Sequence, residues 1–169
     1  IKSRRPMTEL SPLDQIPSEK TEALLDAAFG LDRRTRTAYL LRNSSTAIHD
    51  LSFAIMANDE LVGTIQCWPV RIGGTKLVLV GPVAVLPERQ GQGIGHRLMR
   101  ASLDAAARLG EPAMVMIGDP EYYDRFGFTA SATGGWTLPG PWEPRRLLAR
   151  NVGGHRLPET GMLERACAL

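Results

Sequence analysis

The chain has 169 residues, is 43% hydrophobic and carries 20 Lys and Arg against 18 Asp and Glu. That suffices for one domain, residues 1–169, with a real core, and the net charge of +2 leaves no single-sign stripe of the kind a nucleic-acid surface needs. The longest apolar run, Leu77 to Leu86, is too short to cross a bilayer and contains Gly81-Pro82, so neither a nucleic-acid nor a membrane partner is expected.

Cys67 and Cys167 lie far apart and lack metal-ligand spacing, so neither a disulfide framework nor a metal site is expected. With no secretory signal at the start, a cytoplasmic setting is expected. Ile1 to Pro6 precede Met7, read as the natural start, and receive no function.

"PSEKTEALLDAAFG" predicts a helix with Ser18 as cap, an apolar side of Leu24, Leu25, Ala28 and Phe29, and Gly30 as its end. "LDRRTRTAYLLRN" predicts a second helix, with Asp32 as cap. The period then changes. "DLSFAIMA", "LVGTIQCWPVRI" and "TKLVLVGPVAVLP" read as three strands separated by "NDE" and Gly73-Gly74, hence an antiparallel meander. Ile94, Leu98, Ala101, Ala105 and Leu109 then mark one face of a helix ended by Gly110. "PAMVMIG" is a short buried strand, and "DPEYYDRFG" a turn with one helical turn capped by Asp119. Short strands broken by "GG" and "LPGPWEP" follow. The order predicts an α/β or α+β domain with a mixed, mostly antiparallel sheet flanked by helices.

"PERQGQGIGHRLM", Pro87 to Met99, places Gly91, Gly93 and Gly95 between a strand and a helix. A helix N-terminus has unpaired N–H groups and partial positive charge, and glycines let a phosphate reach them. A plain strand-to-helix turn would read the same way. The stretch is not a Walker loop, because Gly95 is followed by His96-Arg97. Nor is it a dinucleotide fingerprint, because the spacing is G-x-G-x-G after a meander strand.

Gln90-x-x-Gly93-x-Gly95 resembles the Q/R-x-x-G-x-G/A signature of the GCN5-related N-acetyltransferase (GNAT) family, and "YYDRFGF", Tyr122 to Phe128, resembles that family's "FYEKLGF" segment. The two occur in the family's order and spacing, and the likeness is strongest to a subgroup with a GDP-x-YY-x-RFGF segment, matched by Gly118 to Phe128. The resemblance covers roughly Leu51 to Phe128. It implies a GNAT-like acyl-CoA N-acyltransferase fold and transfer of an acetyl group from acetyl-CoA to a primary amine by direct attack, with no metal. It also implies that Gln90 orients a loop whose Gly91, Gly93, Ile94, Gly95 and His96 N–H groups face diphosphate. Gly81-Pro82 would form a strand bulge, and the backbone of Val83 and Val85 would pair with the pantetheine arm, one N–H polarising the thioester carbonyl. Tyr123 corresponds to the tyrosine that protonates the departing thiolate; Tyr122 would pack.

A family asparagine upstream of that tyrosine is replaced here by Met116, so no such contact is implied. Neither Glu88 nor any of His49, His96 and His155 is identified as a general base. Trp68 reads equally as core or as acceptor-pocket wall, and "GGWTLPGPWEPRR", with Trp136 and Trp142, as acceptor cover, surface loop or oligomer contact. The acceptor, a small-molecule or peptide amine, is not legible, and a homodimer stays open. The competing reading is a non-catalytic acyl-CoA binder or sensor, which would keep the glycine loop equally well.

Overall fold

The computed structural model describes residues 8–43 and 45–166; the readings at Ile1 to Pro6 and Cys167 lie outside them. The meander forms as expected: β2 (Phe53–Ala57), β3 (Glu60–Ile72) and β4 (Thr75–Val85) pair antiparallel in sequence order. Asn58 and Asp59 close the first hairpin with φ of 48° and 68°, the left-handed values that tight hairpins require and that Asn and Asp tolerate. An edge strand not anticipated from the sequence, β1 (Thr8–Pro12), pairs antiparallel with β2. Beyond β4 come β5 (Ala113–Ile117), parallel to it, and β7 (Leu147–Asn151), antiparallel to β5. The short β6 (Trp136–Thr137) pairs with β8 (Gly161–Arg165), which borders the far half of β3. Trp136 is therefore core, 2% exposed, its Nε1–H donating to the Pro158 carbonyl at 2.8 Å.

The helices cover both faces. On one, α3 (Ile94–Leu109) packs Ile94, Leu98, Met99, Leu103, Ala105 and Ala106 over Ile55, Ile65, Val78 and Val80. The buried stripe differs from the predicted one at its end: Leu109 is exposed, while Ser102 is buried and donates to the Leu51 carbonyl at 2.7 Å. On the other face, α1 (Ser18–Phe29) sets Leu24 and Leu25 against Ala54, Leu61 and Ala84. Its N-cap is Pro17 and no side chain caps it, so Ser18 is the first helical residue. The predicted second helix is broken. A 3₁₀ turn (Arg33–Thr35) precedes the single turn α2 (Thr37–Leu40), and Asp32 makes no cap hydrogen bond.

Tertiary contact explains that break. Arg33 is 1% exposed. It donates through Nε to Asp26 at 2.9 Å and through its other nitrogens to Glu22 and the Tyr39 hydroxyl. Burial opposes its charge, but these hydrogen bonds outweigh that and raise its pKa. A straight amphipathic helix does not account for this: the arginine is buried because acids on α1 neutralise it.

Candidate active site

Beside Gly81-Pro82 the register of β4 against β3 shifts by one residue. Cys67 faces Val80, Ile65 faces Val83, and the two residues between oppose Gln66 alone. This is a β-bulge, and it changes which residues face α3. Val78 and Val80 do so before it, Val83 and Val85 after it, an even-to-odd switch that only an inserted residue produces. Gly81 has φ of 129° and nothing within 4 Å of an added Cβ. Its carbonyl accepts from the Trp68 indole N–H at 2.7 Å. Trp68, 8% exposed, is therefore a core residue that braces the bulge, not a cleft wall.

The bulge coincides with the end of the β4–β5 ladder, which pairs only Val78 with Met114 and Leu79 with Val115. Leu86 N–H donates to the Val62 carbonyl at 2.9 Å. Because antiparallel bonding alternates, Ala84 also faces β3, while the N–H and C=O of Val83 and Val85 point away from it. They point to the side on which β5 no longer pairs, leaving an unfilled sheet edge.

β4 leads into the glycine loop at the start of α3. Gly93 is the N-cap with φ of 80°, and Gly91 has φ of 83°. Among the described residues, the N–H groups of Gly91 and Gly93 make no hydrogen bond within the protein, and Arg97 N–H is the first to bond back, to Gly93 at 3.0 Å. The N–H groups of Ile94, Gly95 and His96 are thus open donors at a positive helix end. Gly95 has an ordinary helical backbone; a Cβ there would lie 3.7 Å from Val85 and 3.9 Å from the Tyr122 hydroxyl. Gln90 is exposed beside the loop, and the His96 ring meets that of Phe126 at a tilt of 48°, centroids 5.1 Å apart. Open donors, a smooth glycine surface and a free strand edge fit a diphosphate followed by an amide-bearing arm.

Tyr123 closes α4 (Pro120–Tyr123), whose N-cap Asp119 accepts from Glu121 N–H at 3.0 Å as expected. The ring of Tyr123 lies against Gly118, where a Cβ would come within 2.8 Å of it. Tyr122 meets Tyr123 edge-on at 4.9 Å and also contacts Phe126. Burial, with smaller effects from Tyr122 and Asp119, pushes the Tyr123 phenol up to about 12, so it stays protonated at neutral pH. Cys67 is wholly buried, and burial pushes its thiol up to about 12, which makes it inert.

A cleft of about 970 Å³ joins these parts. Leu79 to Val83, Met116 to Asp119 and Tyr123 form its floor; Phe29 and residues between Arg33 and Arg42 form one wall, and the segment from Pro141 to Arg146, with Trp142, the other. Val83 and Tyr123 thus meet in one cleft. Gln90, Gly91, Gly93, Ile94, Gly95, His96 and Val85 do not line it but follow along the chain from its strand edge. Among the described residues the cleft walls hold no histidine, and no cluster of metal-ligating side chains occurs. The wall residues Arg36, Arg42 and Arg146 had no signal beyond scattered basic residues in sequence. They converge only through the fold.

The family model for the GNAT acetyltransferases matches residues 18–128. The uncharacterized N-acetyltransferase YhbS of Escherichia coli K12 is 32% identical over 124 residues, 67% of this chain and 74% of the relative. The crystal structure of Escherichia coli YhbS with CoA superposes with a TM-score of 0.74 at 24% identity, covering 98% of this chain and 92% of that one. A Brucella melitensis GNAT acetyltransferase in complex with acetyl-CoA gives 0.70 at 26% identity, covering 96% and 97%.

Proposed function

Since the chain belongs to the GNAT acetyltransferase family, we propose that it transfers the acetyl group of acetyl-CoA to a primary amine held in the cleft beside Tyr123. The observation that carries this is the early end of the β4–β5 ladder at the Gly81-Pro82 bulge, beside a protonated tyrosine. The Escherichia coli and Brucella melitensis structures hold CoA and acetyl-CoA, which supports the same cosubstrate here.

Acetyl-CoA supplies an activated thioester. The N–H groups of Gly91, Gly93, Ile94, Gly95 and His96 would bind its diphosphate, with Gln90 orienting the loop. The backbone of Val83 and Val85 would pair with the pantetheine amides as an added strand does. The Val83 N–H would hold the thioester oxygen, where negative charge develops. The amine adds to the thioester carbonyl, forming the C–N bond and placing negative charge on the oxygen, and the C–S bond breaks as this tetrahedral intermediate collapses. The Tyr123 hydroxyl gives its proton to sulfur, and the surplus proton of the amine passes to water, which returns one to the Tyr123 phenolate. No metal enters this scheme, and no side chain is assigned as general base.

Release of free CoA thiol from acetyl-CoA across a panel of primary amines tests this reading. Amine-dependent release is expected. Tight binding of acetyl-CoA with no release for any amine would make the protein a binder or sensor instead.

A further inference from the structure

Arg42 lies in the cleft wall and is only 8% exposed. Its guanidinium carbon lies over two aromatic rings, 3.8 Å from the Tyr39 ring centre and 4.8 Å from that of Trp68. Among the described residues no carboxylate lies within 4 Å of it, in contrast to Arg33, which Glu22 and Asp26 neutralise. Among the described residues its one hydrogen bond runs from Nη1 to Gln66 Oε1 at 3.4 Å, at the long end of the range. Thr64 Oγ1 is the sole buried side-chain polar atom without a partner among the described residues. The remaining Arg42 N–H groups therefore open to the cleft rather than being sealed in protein.

An arginine keeps its charge at any working pH, and a desolvated charge without a counter-ion is costly. Burial lowers the Arg42 pKa, the largest effect on it. The guanidinium N–H groups all lie in its plane, so beside these rings it can take a further partner only through its edge. That edge presents coplanar N–H groups, the fork that matches a carboxylate bidentately. Its position fits an acceptor group: Arg42 lies over the Trp68 ring, and Trp68 holds the Gly81 carbonyl of the bulge. One indole ring thus separates the cation from the strand edge where the thioester would lie. Asp119 and Glu143, the acids lining the cleft apart from this wall, are exposed and lie toward Tyr123 and Arg146.

We propose that the acceptor is a small primary amine that itself carries a carboxylate, and that Arg42 binds this carboxylate through the free edge of its guanidinium. The inference deepens the acetyl-transfer reading and rests on it. Arg42 is a specificity residue in this account and takes no part in the proton transfers.

The test uses matched amines: L-phenylalanine with L-phenylalaninamide, 4-aminobutyrate with 4-aminobutyramide, and 2-aminoethyl phosphate with ethanolamine. CoA release gives kcat/KM for each, reckoned on the unprotonated amine because a carboxylate and a carboxamide leave different fractions of it, and calorimetry gives affinity for the CoA-saturated protein. A carboxylate on a buried arginine should favour the acid of the first two pairs by roughly 10- to 100-fold. Arg42→Gln should bring that ratio toward one, and Arg42→Lys, a point charge without the fork, should fall between. The CoA-induced melting shift reports whether each variant is folded; the wild-type ratios decide the question even where a variant is not. Equal use of acid and amide, preference for the phosphate alone, or an unaltered ratio in a folded Arg42→Gln overturns the proposal. Arg42-dependent acid binding without release from any amine sinks the acetyl transfer and leaves the carboxylate pocket standing. Release without acid preference does the reverse, and neither binding nor release overturns both.

Discussion

Tyr123 combines a raised phenol pKa with a place in the cleft floor. Tyr123→Phe should lower the single-turnover rate of CoA release by roughly 10² to 10⁴, with little change in acetyl-CoA affinity, because the cofactor contacts assigned above are backbone. Tyr122→Phe should be mild; the reverse pattern would move the donor role to Tyr122. The raised pKa has a second consequence. The folded phenol holds its proton to a higher pH than the unfolded one, so its stabilising effect is complete below about pH 10 and fades between about 10 and 12. Wild type should therefore lose stability over that window more steeply than Tyr123→Phe; parallel alkaline melting curves would contradict the buried phenol. The loop glycines differ from one another. Gly93 needs its left-handed backbone, whereas Gly95 does not. Gly95→Ala should keep the CoA-induced melting shift and stabilise the helix start by up to about 1 kcal/mol. Gly95→Val should stay folded and lose the shift. Retention of the shift by Gly95→Val would remove this residue from the diphosphate site.

At the level of elements, α3 is held close to β3 by Gly63. A Cβ there would come 2.5 Å from Ile94 and 3.0 Å from Leu98. Ile94 is the first residue of α3, so Gly63→Ala should push the anion-binding end outward. It should cost about 1 to 3 kcal/mol by overpacking and weaken CoA binding too. Gly73→Ala, at a hairpin with φ of 56° and open space around it, should cost about 1 kcal/mol and leave CoA affinity alone. Denaturant titration and calorimetry on both variants separate the two; equal loss of affinity would refute the link from Gly63 to the loop. Elements set by local chemistry were legible in sequence: the Asn58-Asp59 and Gly73 turns, the glycine start of α3 and the Asp119 cap. Those set by distant contacts were not. The helix expected from Leu31 onward breaks because Arg33 turns inward to acids on α1. Strand β1 had no alternation strong enough to announce it, since it is an edge strand completed by pairing with β2.

For the molecule as a whole, the mixed sheet and the strand–loop–helix unit were readable because each is contiguous in the chain. The cleft was not, because its walls come from segments around residues 33–42, 79–83, 116–123 and 141–146. Trp68, left open between core and pocket, braces the bulge from behind, a role visible only once Gly81 is placed beside it. The bulged strand edge and the open amides of α3 together should form one acetyl-CoA site, which the acceptor cleft meets at Val83 and Tyr123. The measurement that tests this most directly is the melting temperature of the wild-type protein during titration with acetyl-CoA, with and without a metal chelator. A ligand confined to the folded state adds about 2.7 kcal/mol of stability at a hundredfold excess over its Kd. The melting temperature should rise by the corresponding amount, equally with chelator present, and should not move with ATP or NAD. No rise with acetyl-CoA, or the same rise with ATP, would contradict the account.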